Sequence, residues 1–167
     1  MTIYNRIINQ KDLNRLSQEA QSNSRLRKNL NLHELNDPIQ RFFNALEPGT
    51  YVQPHRHTAP PKRETFIFIQ GSFLVVLFDD TGEITDVIRF CKEDRSNIVM
   101  DLQPNVWHSL ICEEPETVYF EIKDGPYEVT TDKDFAPWAP TPNSPPVQIY
   151  LTELHQRAQI FLDNKLK

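Results

Sequence analysis

His55 and His57 lie one residue apart and Glu64 follows seven positions after His57, while a third histidine, His108, sits in the turn-like stretch "LQPNVWHSL". Neutral imidazoles together with one carboxylate suit a divalent transition metal, and an octahedral ion held by four such groups keeps positions open for water or a ligand. A His-x-His pair taken alone fits two surface or hydrogen-bonded core histidines equally well. The chain has only four glycines, and two of them frame the cluster: Gly49 lies six residues before His55 and Gly71 seven after Glu64. That framing favours a ligand set.

The elements that must position these groups are short strands. If "TYVQPHRH" is extended, side chains alternate, so His55 and His57 share one face and Arg56 takes the other. Glu64 opens the next apolar run, "ETFIFIQG", after a proline-bearing turn that can return the chain beside the imidazoles. From Ile39 to Lys123 such runs recur between turn residues, as in "IQRFFNAL", "SFLVVLFDD", "TDVIRF", "WHSLIC" and "TVYFEIK", which predicts an antiparallel sandwich or barrel. "FDDTGEIT" predicts a hairpin turn around Gly82. Leu13, Leu16 and Ala20 predict a short amphipathic helix over 12–22, followed by the polar, irregular "SNSRLRKNLNLHELNDP". Beyond Lys123 a proline-rich extended arm, with Tyr127, Phe135 and Trp138 packing down, leads to a helix whose stripe is Val147, Tyr150, Leu151, Leu154, Ala158, Phe161 and Leu162.

Composition narrows the function classes. The chain has 167 residues, enough for one domain, with 38% apolar and 25% charged residues and a formal net charge of -5. A protein built to grip phosphate backbones carries a clustered basic excess, so nucleic acid is not an expected partner. No apolar run reaches signal-peptide length in residues 1–20 or bilayer length anywhere, so a cytoplasmic protein without a membrane partner is expected. Cys91 and Cys112 are expected to remain reduced core thiols.

The glycine, His-x-His, glutamate, glycine series (Gly49, His55, His57, Glu64, Gly71) and the later Pro104-Asn105-Val106-Trp107-His108 resemble the two motifs of the cupins. Asn105 stands where glycine is common, and asparagine also tolerates left-handed backbone angles. Six residues separate His57 from Glu64, more than most cupins have. "SRLRKN", "DPIQR", "ALEPGTYVQPHRH", "PNVWHS", "FEIKDGPY" and "DKDFAPWAP", from about Ser24 to Pro140, resemble the WbuC-type cupin metalloproteins, in which that wider spacing is normal. The resemblance implies a mainly β chain: a single cupin (double-stranded β-helix, jelly-roll) barrel with an N-terminal and a C-terminal α-helix. Its parts would be an N-terminal helix and basic arm (1–36), the barrel (37–125), and a covering arm with the C-terminal helix (126–167). It further implies one divalent transition metal (Fe, Mn, Ni, Zn or Cu) on His55, His57, Glu64 and His108, and a homodimer.

Arg25, Arg27 and Lys28, followed by His33 and Arg41, form a basic group in an acidic protein. It reads either as a solvated turn or, in the light of the resemblance, as an arm that holds an anionic small molecule over the metal. Tyr51 is a candidate cavity residue on the face of His55, although a barrel-core tyrosine has the same pattern. Phe66 and Phe68 share the face of Glu64 and would give an apolar wall, and Cys112 occupies the end of the second motif. His155 is expected to face water. The function that follows is a metalloenzyme of isomerase, epimerase or lyase type acting on a small anionic or carbohydrate-derived substrate, in keeping with the association of WbuC-type proteins with surface-polysaccharide gene clusters. A non-catalytic ligand-sensing module and an Fe(II) dioxygenase are the alternatives. His33 and Tyr51 are the only candidates for a separate acid or base.

Overall fold

A computed structural model of the protein describes residues 5–93 and 96–165. Its helix α1 (Gln10–Gln21) begins where Asn9 caps it: the Asn9 side chain accepts from main-chain amides of the first turn and Asp12 reaches back to the Asn9 amide. This reciprocal capping satisfies donors that a helix start leaves open. The strands follow as β1 (Arg27–Asn31), β2 (Ile39–Leu46), β3 (His55–Arg56), β4 (Glu64–Gln70), β5 (Ser72–Phe78), β6 (Ile84–Cys91), β7 (Val99–Leu102), β8 (Trp107–Cys112), β9 (Thr117–Asp124) and β10 (Asp134–Phe135), and α2 (Val147–Lys165) ends the fold.

Two antiparallel five-stranded sheets face each other, one ordered β1-β2-β9-β4-β7 and the other β10-β3-β8-β5-β6. The expected hairpin joins β5 to β6, with Asp79 accepting from the amides of Thr81 and Glu83 across the turn. Phe66, Phe68, Phe73, Phe90, Leu110 and Tyr119 fill the space between the sheets, with the Phe73 and Phe90 rings stacked at 4.9 Å. Outside, Leu13, Leu16 and Ala20 of α1 cover Ala45 and Val118 of the first sheet, while Leu154 and Ala158 of α2 cover Leu74, Val76 and Val87 of the second. The β4–β5 corner turns on Gly71, at φ +83°, where an added Cβ would lie 2.6 Å from the Cα of Thr117.

Three local readings change. Within the irregular basic stretch, Arg27–Asn31 forms a strand that pairs along β2 from Arg27↔Leu46 to Asn31↔Phe42, because the exposed backbone of β2 offers it a ladder that outweighs its polar composition. "TYVQPHRH" is extended, but ladder pairing within it is confined to His55–Arg56. The proline-rich arm contributes β10, which pairs with β3, and its Phe135 stays 50% exposed instead of packing down. Trp138 does pack, against Phe78 and Trp107. Both cysteines are free thiols.

Candidate metal centre

The second sheet sets two imidazoles side by side, since His55 of β3 is the register partner of His108 of β8. His57 follows two residues later on the same face, and Glu64, first residue of β4, approaches from the first sheet. Asn105, at φ +68°, takes the left-handed turn that leads into β8, and its amide donates to the carbonyl of His57 at 3.2 Å, tying the two motifs together. His55, His57, Glu64 and His108 are only 3, 2, 3 and 2% exposed. One ligand-type atom from each lies within 4.8 Å of all the others.

Proton bookkeeping at this cluster is decisive. Nδ1 of His55 faces the carbonyl of Gln53 at 2.9 Å, Nδ1 of His108 that of Val106 at 3.0 Å, and Nδ1 of His57 that of Asp132. A carbonyl only accepts, so each Nδ1 carries the proton and each Nε2 of a neutral ring presents a lone pair. Nε2 of His57 and Nε2 of His108 then stand 3.1 and 3.0 Å from the Glu64 carboxylate oxygens, acceptor against acceptor. Accordingly His57 Nε2 and Glu64 Oε2 are buried without a hydrogen-bond partner. A proton taken up at Nε2 or a bound metal ion relieves such an arrangement, and the donor set of three imidazoles and a carboxylate fits a transition metal. Burial, reinforced by Lys133 and His108, holds His55 well below the ordinary histidine range. Burial opposes ionisation of Glu64; His108 and His57, once protonated at the Nε2 that faces it, more than reverse this and hold it well below the usual carboxylate range.

Behind the imidazoles sits a charged support that the sequence reading missed. Asp132 accepts from Lys62 Nζ at 2.9 Å on one oxygen and from Lys123 Nζ at 2.7 Å on the other, with all three side chains buried. Lys62 also donates to the carbonyl of Pro126 at 2.6 Å. Burial alone would raise the Asp132 carboxyl, but Lys123 and Lys62 hold it below its ordinary value. The same residue therefore orients His57 with its main chain and anchors the covering arm with its side chain, as outer-sphere groups commonly do for histidine ligands.

Comparison with known proteins gives a consistent picture of the fold. Residues 8–90 match a family described as a domain of unknown function, DUF6016. No curated protein matches the sequence. Among solved structures, L-ribose isomerase from Cellulomonas parahominis is 14% identical, with 66% of this chain and 69% of that one covered at a TM-score of 0.51. KdgF from Halomonas sp. is 16% identical over 61% of this chain and 82% of that one, TM-score 0.47. The cupin domain of Schizosaccharomyces pombe Cnp3 is 13% identical over 59% and 64%, TM-score 0.44. The chain has the cupin fold. Identities this low speak to fold alone.

The cupin barrel opens beside the cluster of His55, His57, Glu64 and His108 into a cavity of about 600 Å³. Of the residues singled out in the sequence, Arg25, Arg27, His33 and Phe66 line it beside His55, Glu64 and His108, and Tyr127 and Phe135 of the covering arm join them. Strand alternation puts Arg27, Asn29 and Asn31 of β1 on the cavity side and Lys28 on the other, where Lys28 pairs with Glu19 of α1 at 3.6 Å. Arg41 likewise points away, donating to the carbonyl of Leu32. Tyr51 is core-like: its hydroxyl donates to the carbonyl of Pro140 at 2.7 Å and its ring meets Tyr150 edge-on. Phe68 and Cys112 lie deeper, in the packed core, the Cys112 thiol donating to the carbonyl of Glu114. His155 is exposed, as expected.

Other lining residues went unnoticed in the sequence, among them Gln40, Asn44, Tyr119, Glu121, Lys123 and Lys133. Glu121 Oε2 accepts from Asn44 at 2.9 Å and from the Tyr119 hydroxyl at 3.3 Å. Burial, with the Glu64 charge next, pushes its carboxyl up to about 8. Arg27 donates to the carbonyl of Tyr51 at 2.7 Å and to Thr50 at 3.2 Å, whereas the guanidinium of Arg25 has no hydrogen bond or ion pair among the described residues. No helix among the described residues is long and apolar enough to cross a membrane.

Proposed function

We propose that this cupin binds one divalent transition metal through His55, His57, Glu64 and His108, and acts on a small anionic, carbohydrate-derived substrate as an isomerase, epimerase or lyase. The observation that carries this reading is the set of buried lone pairs, three Nε2 atoms and a carboxylate, turned toward one another with no donor between them. A bound metal supplies Lewis acidity that polarises a carbonyl or hydroxyl. The protein's own groups do the rest. Arg25, whose guanidinium has no partner among the described residues, stands on the cavity wall and anchors the anion. Phe66 and Phe42 exclude water from one side. Glu121, protonated near neutral pH, holds the proton available to the substrate at its carboxyl.

The motif resemblance supports a WbuC-type protein of surface-polysaccharide metabolism, working in the cytoplasm as a homodimer. Its test is turnover. Protein purified without chelator is incubated with sugar phosphates and nucleotide sugars, with and without oxygen. A product under both conditions supports the isomerase or lyase reading, and a product only with oxygen points to Fe(II) dioxygenase chemistry. Thermal stabilisation without any product would instead assign a non-catalytic sensing module, since ligand binding alone raises native-state stability.

A further inference from the structure

The cavity wall on the first sheet has an unusual composition for a barrel interior. Asn29 and Asn31 of β1 and Gln40 and Asn44 of β2 line it, and Gln53, just before β3 of the other sheet, adds a further amide to the cavity. An amide carries no charge and offers donors and an acceptor together, which is the pattern that a hydroxyl answers with its own donor and lone pairs. A purely anionic ligand would need only the cations, and an apolar one would leave the buried Gln40 amide unpaired at a cost.

Gln40 makes the point most sharply. It is 2% exposed, it lines the cavity, and its Nε2 has no hydrogen-bond partner. A buried donor without an acceptor destabilises a fold. Gln40 pairs in register with Lys123 and Lys123 with Glu64, so the three stand on one row across the sheet. Two strand spacings, roughly 10 Å, separate the Gln40 backbone from that of Glu64. One small molecule can therefore meet the metal-ligand cluster at one end and Gln40 at the other.

Resting on the reading of this cavity as the ligand site, we infer that its ligand is an anionic polyol, a sugar acid or sugar phosphate, and that Gln40 is a specificity determinant that reads one of its hydroxyls. The anion meets Arg25, and the amide wall meets the hydroxyls. Gln40→Met keeps the volume and removes the donor.

The test is calorimetric titration of protein purified without chelator with matched six-carbon probes: D-gluconate against hexanoate, and D-glucitol 6-phosphate against hexyl phosphate. At least one hydroxylated probe is expected to bind tenfold or more tightly than its hydroxyl-free counterpart. Gln40→Met should cut that preference about tenfold, the worth of one hydrogen bond, while the ligand-free melting temperature stays equal or rises. Asn29→Ala, at the exposed end of the same wall, should lower the preference in the same direction. Equal binding of the paired probes by wild type, or a preference unchanged in both variants, overturns the inference and leaves the anion site standing. Binding of none of the four overturns the inference and the anionic-substrate reading together.

Discussion

His57 and Asp132, 75 residues apart in sequence, are joined by a hydrogen bond from the imidazole Nδ1 to the Asp132 carbonyl. The covering arm thereby fixes which nitrogen of His57 faces Glu64, and the Asp132 carboxylate fixes the arm by holding Lys62 and Lys123.

Asp132→Asn separates these two roles. The carbonyl remains, so folded molecules keep the orientation of His57, but two buried ammonium groups lose their counter-charge. Breaking a buried ion pair from one side costs about 3–5 kcal/mol. Denaturant titration should show that loss, while metal content per folded chain, measured below the unfolding transition, stays near that of wild type.

The depressed histidine makes stability depend on pH in a defined direction. His55 stays neutral in the folded protein, whereas in the unfolded chain it takes up a proton below about pH 6.5. The unfolded state then binds more protons, so the metal-free protein loses stability as pH falls below that value, by up to about 1.4 kcal/mol per pH unit for one group. Glu64, held low by His108 and His57, adds stability that is present above about pH 4 and is lost as pH falls further. Unfolding midpoints recorded between about pH 7 and pH 5 should show the first slope, flattened in His55→Gln; an identical slope in the variant would rule out His55 as its source.

The two motif glycines differ in how replaceable they are. At Gly71 a Cβ meets the Thr117 backbone at 2.6 Å, and at Gly49 it meets only the flexible end of Leu26 at 3.3 Å. Both have positive φ, so each alanine variant carries backbone strain of about 1–2 kcal/mol. Gly71→Ala adds overpacking and should lose about 2–5 kcal/mol in total, against the smaller loss for Gly49→Ala. Thermal denaturation of the two variants side by side checks the order.

Within the basic group, Arg25 and Lys28 should part company. Arg25→Ala should weaken binding of D-glucitol 6-phosphate by about ten- to a hundredfold, the range of a hydrogen bond to a charged group. Lys28→Ala, on the α1 side of its strand, should leave that affinity unchanged; calorimetry on both variants distinguishes them.

That His55, His57, Glu64 and His108 come together was legible because the information is local. Alternation carries His55 and His57 to one face, glycines mark the turns, and Asn105 takes the left-handed angle its residue type allows. The cavity wall was not. In "TVYFEIK" the apolar Val118, Phe120 and Ile122 invite a core assignment, yet Tyr119, Glu121 and Lys123 are the buried series that lines the cavity. The inversion follows from α1: its Leu13 and Leu16 cover Val118 from outside, which lets the barrel interior be polar. Arg27 was legible as a cation but its inward direction depends on the pairing of β1 with β2, a long-range ladder. Asp132 gave no local signal at all, since its partners Lys62 and Lys123 reach it from elsewhere in the chain.

Whether His55, His57, Glu64 and His108 hold a metal is read from elemental analysis of protein purified without chelator. Wild type should carry about one transition-metal ion per chain, and His57→Ala, which removes one of the lone pairs facing Glu64, should lose most of it. Wild-type protein that is correctly folded, stays metal-free and takes up no divalent transition metal on dialysis would show that these four side chains form no metal site.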